Sequence, residues 1–381
     1  MLPRYTDFHL KKNILFKMEV EDIFRAFENG QFNPDQFIAR IELNFSRLSA
    51  NQLVDFLNLL AHNRRPRSLT ILNQWFYLTT RQIRFYDPEK ITNVISDLAL
   101  LNVKPESQWL TEWYQRSQEI FNQFSLRQIN ELLQSLAKLN LSNPFWLLKW
   151  EKNTVNKIKF FTPQELADSV YFLGQLGAGV DYTWLNEWFL QSVDNFSTQD
   201  FYRSLYGLAL LRVDINRKWL DRWYQATSKE MEFFSPQSYS SLIFPFTMID
   251  IKVNLDWLSV WYQASLRKME DFEPEDYAET IYAIGIIAPK IYLAWLNKWF
   301  DSSIIKLGDF DPHQLVITIE GLSKLKVSIY GAWMQNFFLE SQKKLKDFSL
   351  KELKDIMYYL KKIGFPIRTS WFDEWEAQIA K

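Results

Sequence analysis

Phe196-Ser197-Thr198-Gln199-Asp200-Phe201-Tyr202-Arg203-Ser204-Leu205-Tyr206-Gly207-Leu208-Ala209-Leu210-Leu211, followed after a short break by Trp219-Leu220-Asp221-Arg222-Trp223, decides the fold of this chain. Ser197 stands where a side-chain oxygen can accept a bond from a free backbone N–H at a helix start. Behind it, Phe201, Leu205, Leu208 and Leu211 recur at the 4-3-3 spacing that puts them on one helical face. After a break, the Trp-Leu-x-x-Trp segment predicts a second helix, antiparallel to the first. We call the two helices A and B and number each repeat from its cap residue.

The same pattern runs outward in both directions. Trp109, Trp146, Trp184, Trp219, Trp257, Trp295, Trp333 and Trp371 are spaced by 37, 38, 35, 38, 38, 38 and 38 residues, and Ile71 takes the matching place one step earlier. A fixed period in this range marks stacked supersecondary units. Most caps follow Phe, as in Phe161-Thr162-Pro163-Gln164, Phe234-Ser235-Pro236-Gln237, Phe272-Glu273-Pro274-Glu275 and Phe310-Asp311-Pro312-His313; Pro suits the first helical position. Thr162 with Glu165, Ser125 with Gln128 and Ser349 with Glu352 read as capping boxes. Position 13 is usually small, as at Ala61, Ala99, Gly174 and Gly285, which lets another helix approach closely. Breaks between helices carry Pro105, Gly179, Pro289 or Pro366. Gly174-Gln175-Leu176-Gly177-Ala178-Gly179 follows a helix and lacks the Lys-Ser/Thr ending of a phosphate loop, so it reads as a turn between helices.

The expected fold is therefore all-α: a right-handed α-solenoid superhelix of nine to ten helix-turn-helix pairs of about 38 residues, with helix above 65% and no sheet. Residues 1–48 would form N-terminal capping helices, around Val20 to Glu28 and Pro34 to Phe45. Nine repeats follow as one domain, at 49–86, 87–124, 125–161, 162–196, 197–234, 235–272, 273–310, 311–348 and 349–381. Two departures stand out. Phe196 follows Trp184 about three residues too soon, so that B helix is short. Pro245 falls inside an A helix and must kink or end it.

The register of Phe161-Thr162-Pro163-Gln164-Glu165-Leu166, and of Phe196-Ser197 with Leu205-Tyr206-Gly207-Leu208-Ala209-Leu210-Leu211 before Trp219-Leu220, resembles the octotricopeptide repeat family. The resemblance covers about 330 residues, from Ser49 onward. It implies an α-solenoid and, for many members, action on organellar RNA; related repeats occur in intracellular bacteria. The sequence departs from the family where a Trp of helix A is replaced by Tyr171, Tyr206, Tyr282 or Tyr358. Nor does it contain the RNase-like α/β segment that some relatives carry.

Composition narrows the chemistry. There is no Cys, which removes disulfides, thiolate metal sites and Cys nucleophiles together. His9, His62 and His313 are far apart in the chain, and no nucleophile–base set is visible. The expectation is a non-enzymatic protein without cofactor, metal or small-molecule substrate, and without a signal peptide or membrane span. It would reside in the cytoplasm or another reducing compartment, or be translocated into a host cell.

Two rows on helix A are candidate readers of a ligand. Position 7 carries Asp55, Asn93, Glu131, Asp168, Arg203, Ser241, Glu279, Ile317 and Asp355: mostly polar, and different in each repeat. Position 6 adds Thr92, Asn130, Tyr202, Ser240 and Lys354. Modular RNA binders read one base per repeat with such side chains; a solvated helix face has the same composition. The Tyr row at position 10 either stacks bases or packs one A helix on the next, and the Trp pairs belong to the core. Net charge is −1, without the basic excess that phosphate binding leaves. Charge is uneven, however. Residues 49–86 carry five basic residues against one acidic, residues 125–161 six against two, and residues 162–196 none against five. Arg64, Arg65, Arg67, Arg127, Lys138 and Lys149 are the candidate phosphate contacts. The first functional expectation is single-stranded RNA along the A helices; the alternative is a protein–protein scaffold, such as a bacterial effector.

Overall fold

In a computed structural model, which describes residues 19–62, 69–288, 290–325 and 327–380, the chain is 79% helical, with twenty helices and no strand among the described residues. Helices α1 (Val20–Glu28) and α2 (Pro34–Asn44) form the first pair, with Phe37 packed edge-on to Phe24 at 5.0 Å. The A helices are α3 (Ala50–His62), α5 (Pro88–Leu101), α7 (Leu126–Lys138), α9 (Pro163–Gln175), α11 (Thr198–Leu211), α13 (Pro236–Ile243), α15 (Pro274–Ile287), α17 (Pro312–Leu325) and α19 (Leu350–Ile363). The B helices between and after them are α4 (Leu69–Thr80), α6 (Ser107–Glu119), α8 (Pro144–Thr154), α10 (Tyr182–Gln191), α12 (Arg217–Glu230), α14 (Leu255–Lys268), α16 (Leu293–Lys306), α18 (Gly331–Lys344) and α20 (Thr369–Ile379).

The chain divides into two compact units, Met1–Thr154 and Val155–Lys381. In the first, α3 packs on α5 and α5 on α7, while α4 packs on α6 and α6 on α8. In the second, each A helix from α9 to α19 packs on the next A helix, and each B helix from α12 to α20 on the next B helix. This A-on-A, B-on-B packing is that of an α-helical repeat array.

Each repeat is built in the same way. Ser125, Thr162, Ser197 and Ser349 close capping boxes. Positions 5, 9 and 12 are buried, as in Ile91, Ile95 and Leu98. Most B helices tighten into a 3₁₀ turn at their end, such as Met231–Phe233 or Leu307–Asp309, and the aromatic residue after it is buried and extended.

The Trp pairs are core, and they are tethered by their N–H groups. Where the B helix carries a Trp at its second aromatic place, that indole donates to the position 5 carbonyl of its own A helix: Trp113 to Ile91 at 3.1 Å, Trp223 to Phe201 at 3.2 Å, Trp261 to Tyr239 at 3.1 Å, Trp299 to Tyr277 at 3.1 Å; in α18 the place is Phe337. The first donates to a hydroxyl of the preceding B helix: Trp109 to Thr79 at 2.9 Å, Trp257 to Thr227 at 2.8 Å, Trp333 to Ser303 at 3.0 Å. One bond ties a repeat together and the other ties it to its neighbour, so no buried N–H is left without a partner at these rings. Along the second unit the second Trp of one helix lies 5.4–5.6 Å from the first Trp of the next, at about 40–45° between planes.

Both departures are realised. Helix α10 has ten residues, and Ser192–Asn195 replaces the 3₁₀ turn with a bend in which Val193 (φ 92°) and Asn195 (φ 61°) are left-handed. A cleft of about 670 Å³, lined by Asn195, Phe201, Lys229 and Phe233 among others, opens where the missing turn would lie. Helix α13 stops at Ile243, and Pro245 sits in a 3₁₀ segment, Phe244–Thr247, because its ring and missing N–H cannot continue an α-helix. The small residues also act as expected. A Cβ on Gly174, at position 13, would lie 2.8 Å from the backbone O of Gly207, so α9 and α11 approach as closely as backbones allow.

Candidate ligand face of the A helices

Positions 3, 7, 10 and 14 lie on the side of helix A away from helix B. Asp55 is exposed; Asn93, Glu131, Asp168, Arg203, Ser241, Glu279, Ile317 and Asp355 are half-buried. The row is thus partly walled by the neighbouring A helices.

Position 6 requires a correction. Thr92 and Ser240 are 2% and 1% exposed, and neither reaches a ligand. Thr92 donates back to the Pro88 carbonyl at 2.8 Å. The Ser240 hydroxyl bonds the Asp276 carboxylate of α15 at 2.9 Å. At Thr92 and Ser240 the side chain points between consecutive A helices, not out of them, whereas Lys354 on α19 is exposed. Asn130 is half-buried and its amide atoms have no hydrogen-bond partner among the described residues. Tyr202 is half-buried but presents its ring, stacked on Tyr206 at 5.3 Å and 19°.

The basic candidates do not assemble. Arg127 is paired with Glu131 at 2.8 Å on its own helix. Lys149 sits on B helix α8 and donates to the Gln118 carbonyl at 2.6 Å. Lys138 is exposed at the end of α7. Arg64, Arg65 and Arg67 lie outside the described residues, as do His9 and Pro289.

In the second unit, the position 10 rings form a ladder that sequence spacing left open between two roles. Tyr171 lies 6.1 Å from Tyr206, Tyr206 6.4 Å from Phe244, and Phe244 6.2 Å from Tyr282. The rings pack consecutive A helices while keeping part of each exposed. Cations lie over both ends: Arg203 over Tyr171 at 5.6 Å and Lys324 over Tyr282 at 5.1 Å. Each is held by a carboxylate, Arg203 by Asp168 and Lys324 by Glu320. The Glu320–Lys324 pair was legible as an i, i+4 pairing, yet sequence reasoning did not select it.

Burial raises the Asp168 pKa, with Arg203 opposing the shift. Burial also raises Glu279, to about 7, with Glu275 and Asp276 adding to the rise and Ser240 opposing it. In the first unit, Asp97 at position 11 is buried and raised to about 6; Asn58 donates to both of its oxygens at 3.3 Å, and His62 opposes the rise. Between α11 and α13 a cleft of about 320 Å³ is lined by Gln199, Tyr202, Gln237 and Ser241. These groups can grip a ligand by stacking, hydrogen bonding and ion pairing. Among the described residues, no helix is long and apolar enough to cross a membrane. No protein-family model matches the chain, and no curated protein is similar to it.

Proposed function

We propose that this chain is a non-enzymatic helical-repeat scaffold that binds a protein segment along the A-helix face of residues 155–381. The observation that carries this reading is the state of the cations on that face. Arg203 and Lys324 are consumed by Asp168 and Glu320, while the position 10 rings remain partly exposed. Nucleic-acid affinity comes largely from releasing counterions as Lys and Arg meet phosphates. Cations already spent on internal carboxylates contribute little of that term. An interface of aromatic rings with flanking polar groups suits a protein partner.

Single-stranded RNA is the second reading. It is implied by the octotricopeptide resemblance and favoured by one feature, the exposed lysines of α19 and its end: Lys351, Lys354, Lys361 and Lys362. The ring ladder suits stacked bases as well.

Selection from random peptide and random RNA libraries, run in parallel on the purified protein at about 100 mM salt, separates the two. The expected result is a peptide consensus that cross-links to a photoreactive residue at Gln237, on the A face, and not at Gln225 on α12. An enriched RNA motif with steep salt dependence, and no peptide, overturns the protein reading.

A further inference from the structure

Three B helices carry Tyr directly after their second Trp, and the three hydroxyls meet different fates. Tyr114 of α6 donates to the Leu141 carbonyl at 3.1 Å, and Tyr224 of α12 accepts from the Asn254 N–H at 3.4 Å. Both bonds reach the loop that leads into the next B helix. Tyr262 of α14 stands in the same register and is 5% exposed. Its hydroxyl has no hydrogen-bond partner among the described residues. Buried polar groups are paired as a rule, so an orphan calls for a cause.

The cause is a cleft of about 320 Å³ between α14 and the loop entering α16, lined by Tyr262 itself. Leu255, Leu258, Ile291 and Tyr292 make its walls apolar, with Ser259 and Gln263 on α14 beside them. In the next repeat Phe300 takes the place of Tyr262, and the Tyr330 ring packs on it at 4.9 Å; Tyr292 stands 6.0 Å from Tyr262. The looser contact leaves the space, and the hydroxyl that elsewhere meets the loop is left facing it. Burial raises the pKa of this hydroxyl, and the Tyr292 backbone N–H opposes the rise without closing a hydrogen bond. The proton therefore stays on the oxygen and is free to be donated.

The cleft also favours negative charge. Lys290 is the charged side chain in its wall, exposed and without an ion pair among the described residues. Beside it α16 begins uncapped. Asn216 and Asn254 accept backbone N–H groups at the starts of α12 and α14, whereas Tyr292, at the same place, gives α16 no side-chain bond. Free N–H groups at a helix start suit an anion.

We infer that this cleft receives the C-terminal residue of a partner protein, with an aliphatic side chain. The side chain lies on Leu255, Leu258 and Tyr292. The terminal carboxylate, an acceptor only, sits between the Lys290 ammonium and the Tyr262 hydroxyl, which donates to it. Ser259 and Gln263, one helical turn apart, stand ready for the peptide group before it. Capture of a chain terminus by such convergent donors is a known mode of peptide recognition. The volume is at the small end of ligand sites, about 300–1,000 Å³, which suits one residue and excludes a long acyl tail. The site uses no residue of the A-helix face and does not depend on what binds there.

The test uses the full chain and four probes followed by ligand-observed NMR: N-acetyl-leucine, its neutral amide, N-acetyl-glycine and octanoate. N-acetyl-leucine should bind about tenfold tighter than its amide, the effect of one hydrogen bond to a charged group. It should exceed N-acetyl-glycine by about tenfold through burial of the leucine side chain. Tyr262→Phe and Lys290→Gln should each bring N-acetyl-leucine towards the level of its amide, with helix content unchanged. Tyr262→Phe should fold, because Phe76, Phe189, Phe300 and Phe338 hold this place in other repeats. It should also be no less stable in urea than the parent, since no bond is given up. A lower urea midpoint for Tyr262→Phe overturns the inference, because the hydroxyl is then partnered within the chain. Equal binding of acid and amide, or acid preference surviving in Tyr262→Phe, overturns it too. Octanoate binding tighter than N-acetyl-leucine overturns it in favour of a fatty acid, and displacement of N-acetyl-leucine by oligo(U) in favour of phosphate.

Discussion

Trp257 makes two separable contributions. Its ring fills core between α12 and α14, and its N–H reaches the Thr227 hydroxyl at 2.8 Å. Thr227 in turn donates to the Trp223 carbonyl at 2.8 Å, so the hydroxyl stays satisfied when the indole bond is lost. Trp257→Phe should therefore cost about 1 kcal/mol, the usual net worth of one hydrogen bond. Trp257→Ala should cost about 3–5 kcal/mol by opening a cavity. Urea unfolding followed by far-UV circular dichroism measures both, and equal losses would refute the division. At this scale the core was legible because a Trp recurring every 38 residues has no other use. The hydroxyl row that receives the indoles was not. Ser and Thr scattered through amphipathic helices look like surface until a buried N–H is found pointing at them. Thr92 and Ser240 failed the same way: helix A shows which residues share its face, but only the neighbouring helix decides which of them it covers.

At the scale of an element, caps that look alike in sequence differ in what they do. Ser125 accepts from the Gln128 N–H and receives the Gln128 side chain on its own N–H, closing a box. Ser235 precedes Pro236 and makes no capping bond to the backbone; its hydroxyl lies 2.8 Å from that of Ser238. Ser125→Ala should cost about 1 kcal/mol and Ser235→Ala only a small part of that. Comparing the two midpoints in urea checks the difference; matching losses would mean that the Ser235 cap forms in solution. The early stop of α13 at Pro245 and the shortened α10 were both legible, because a proline and a missing turn are features of sequence alone. That the missing turn leaves a cleft and two left-handed residues, Val193 and Asn195, depended on how the chain closes the gap.

Across the whole molecule, titration of buried carboxylates sets the pH response. Asp97 is held above its ordinary value of 3.8, at about 6, chiefly by burial. The folded state thus binds this proton more tightly than the unfolded state. Stability contributed at this residue is full below about pH 4 and falls as pH rises to about 6 and beyond. Asp97→Asn should remove that part of the decline, leaving a flatter stability profile between pH 4 and 7. A parent profile already flat across that window would rule out the raised pKa. The division into two units after Thr154 had no sequence signal, since the Trp period from 146 to 184 runs through it at its usual length. The six-residue 3₁₀ stretch Val155–Phe160, longer than its counterparts, is the local feature that marks it.

The Trp geometry has an optical consequence. Indoles at 5.4–5.6 Å, each fully buried and inclined by about 40–45°, are near enough for excited states to be shared along a unit rather than held on one ring. Absorbed light migrates from repeat to repeat before it is emitted. Polarisation of the emission is lost by migration even though the rings are fixed. The protein therefore carries a built-in antenna, whose colour and anisotropy report on the continuity of the stack rather than on any single residue.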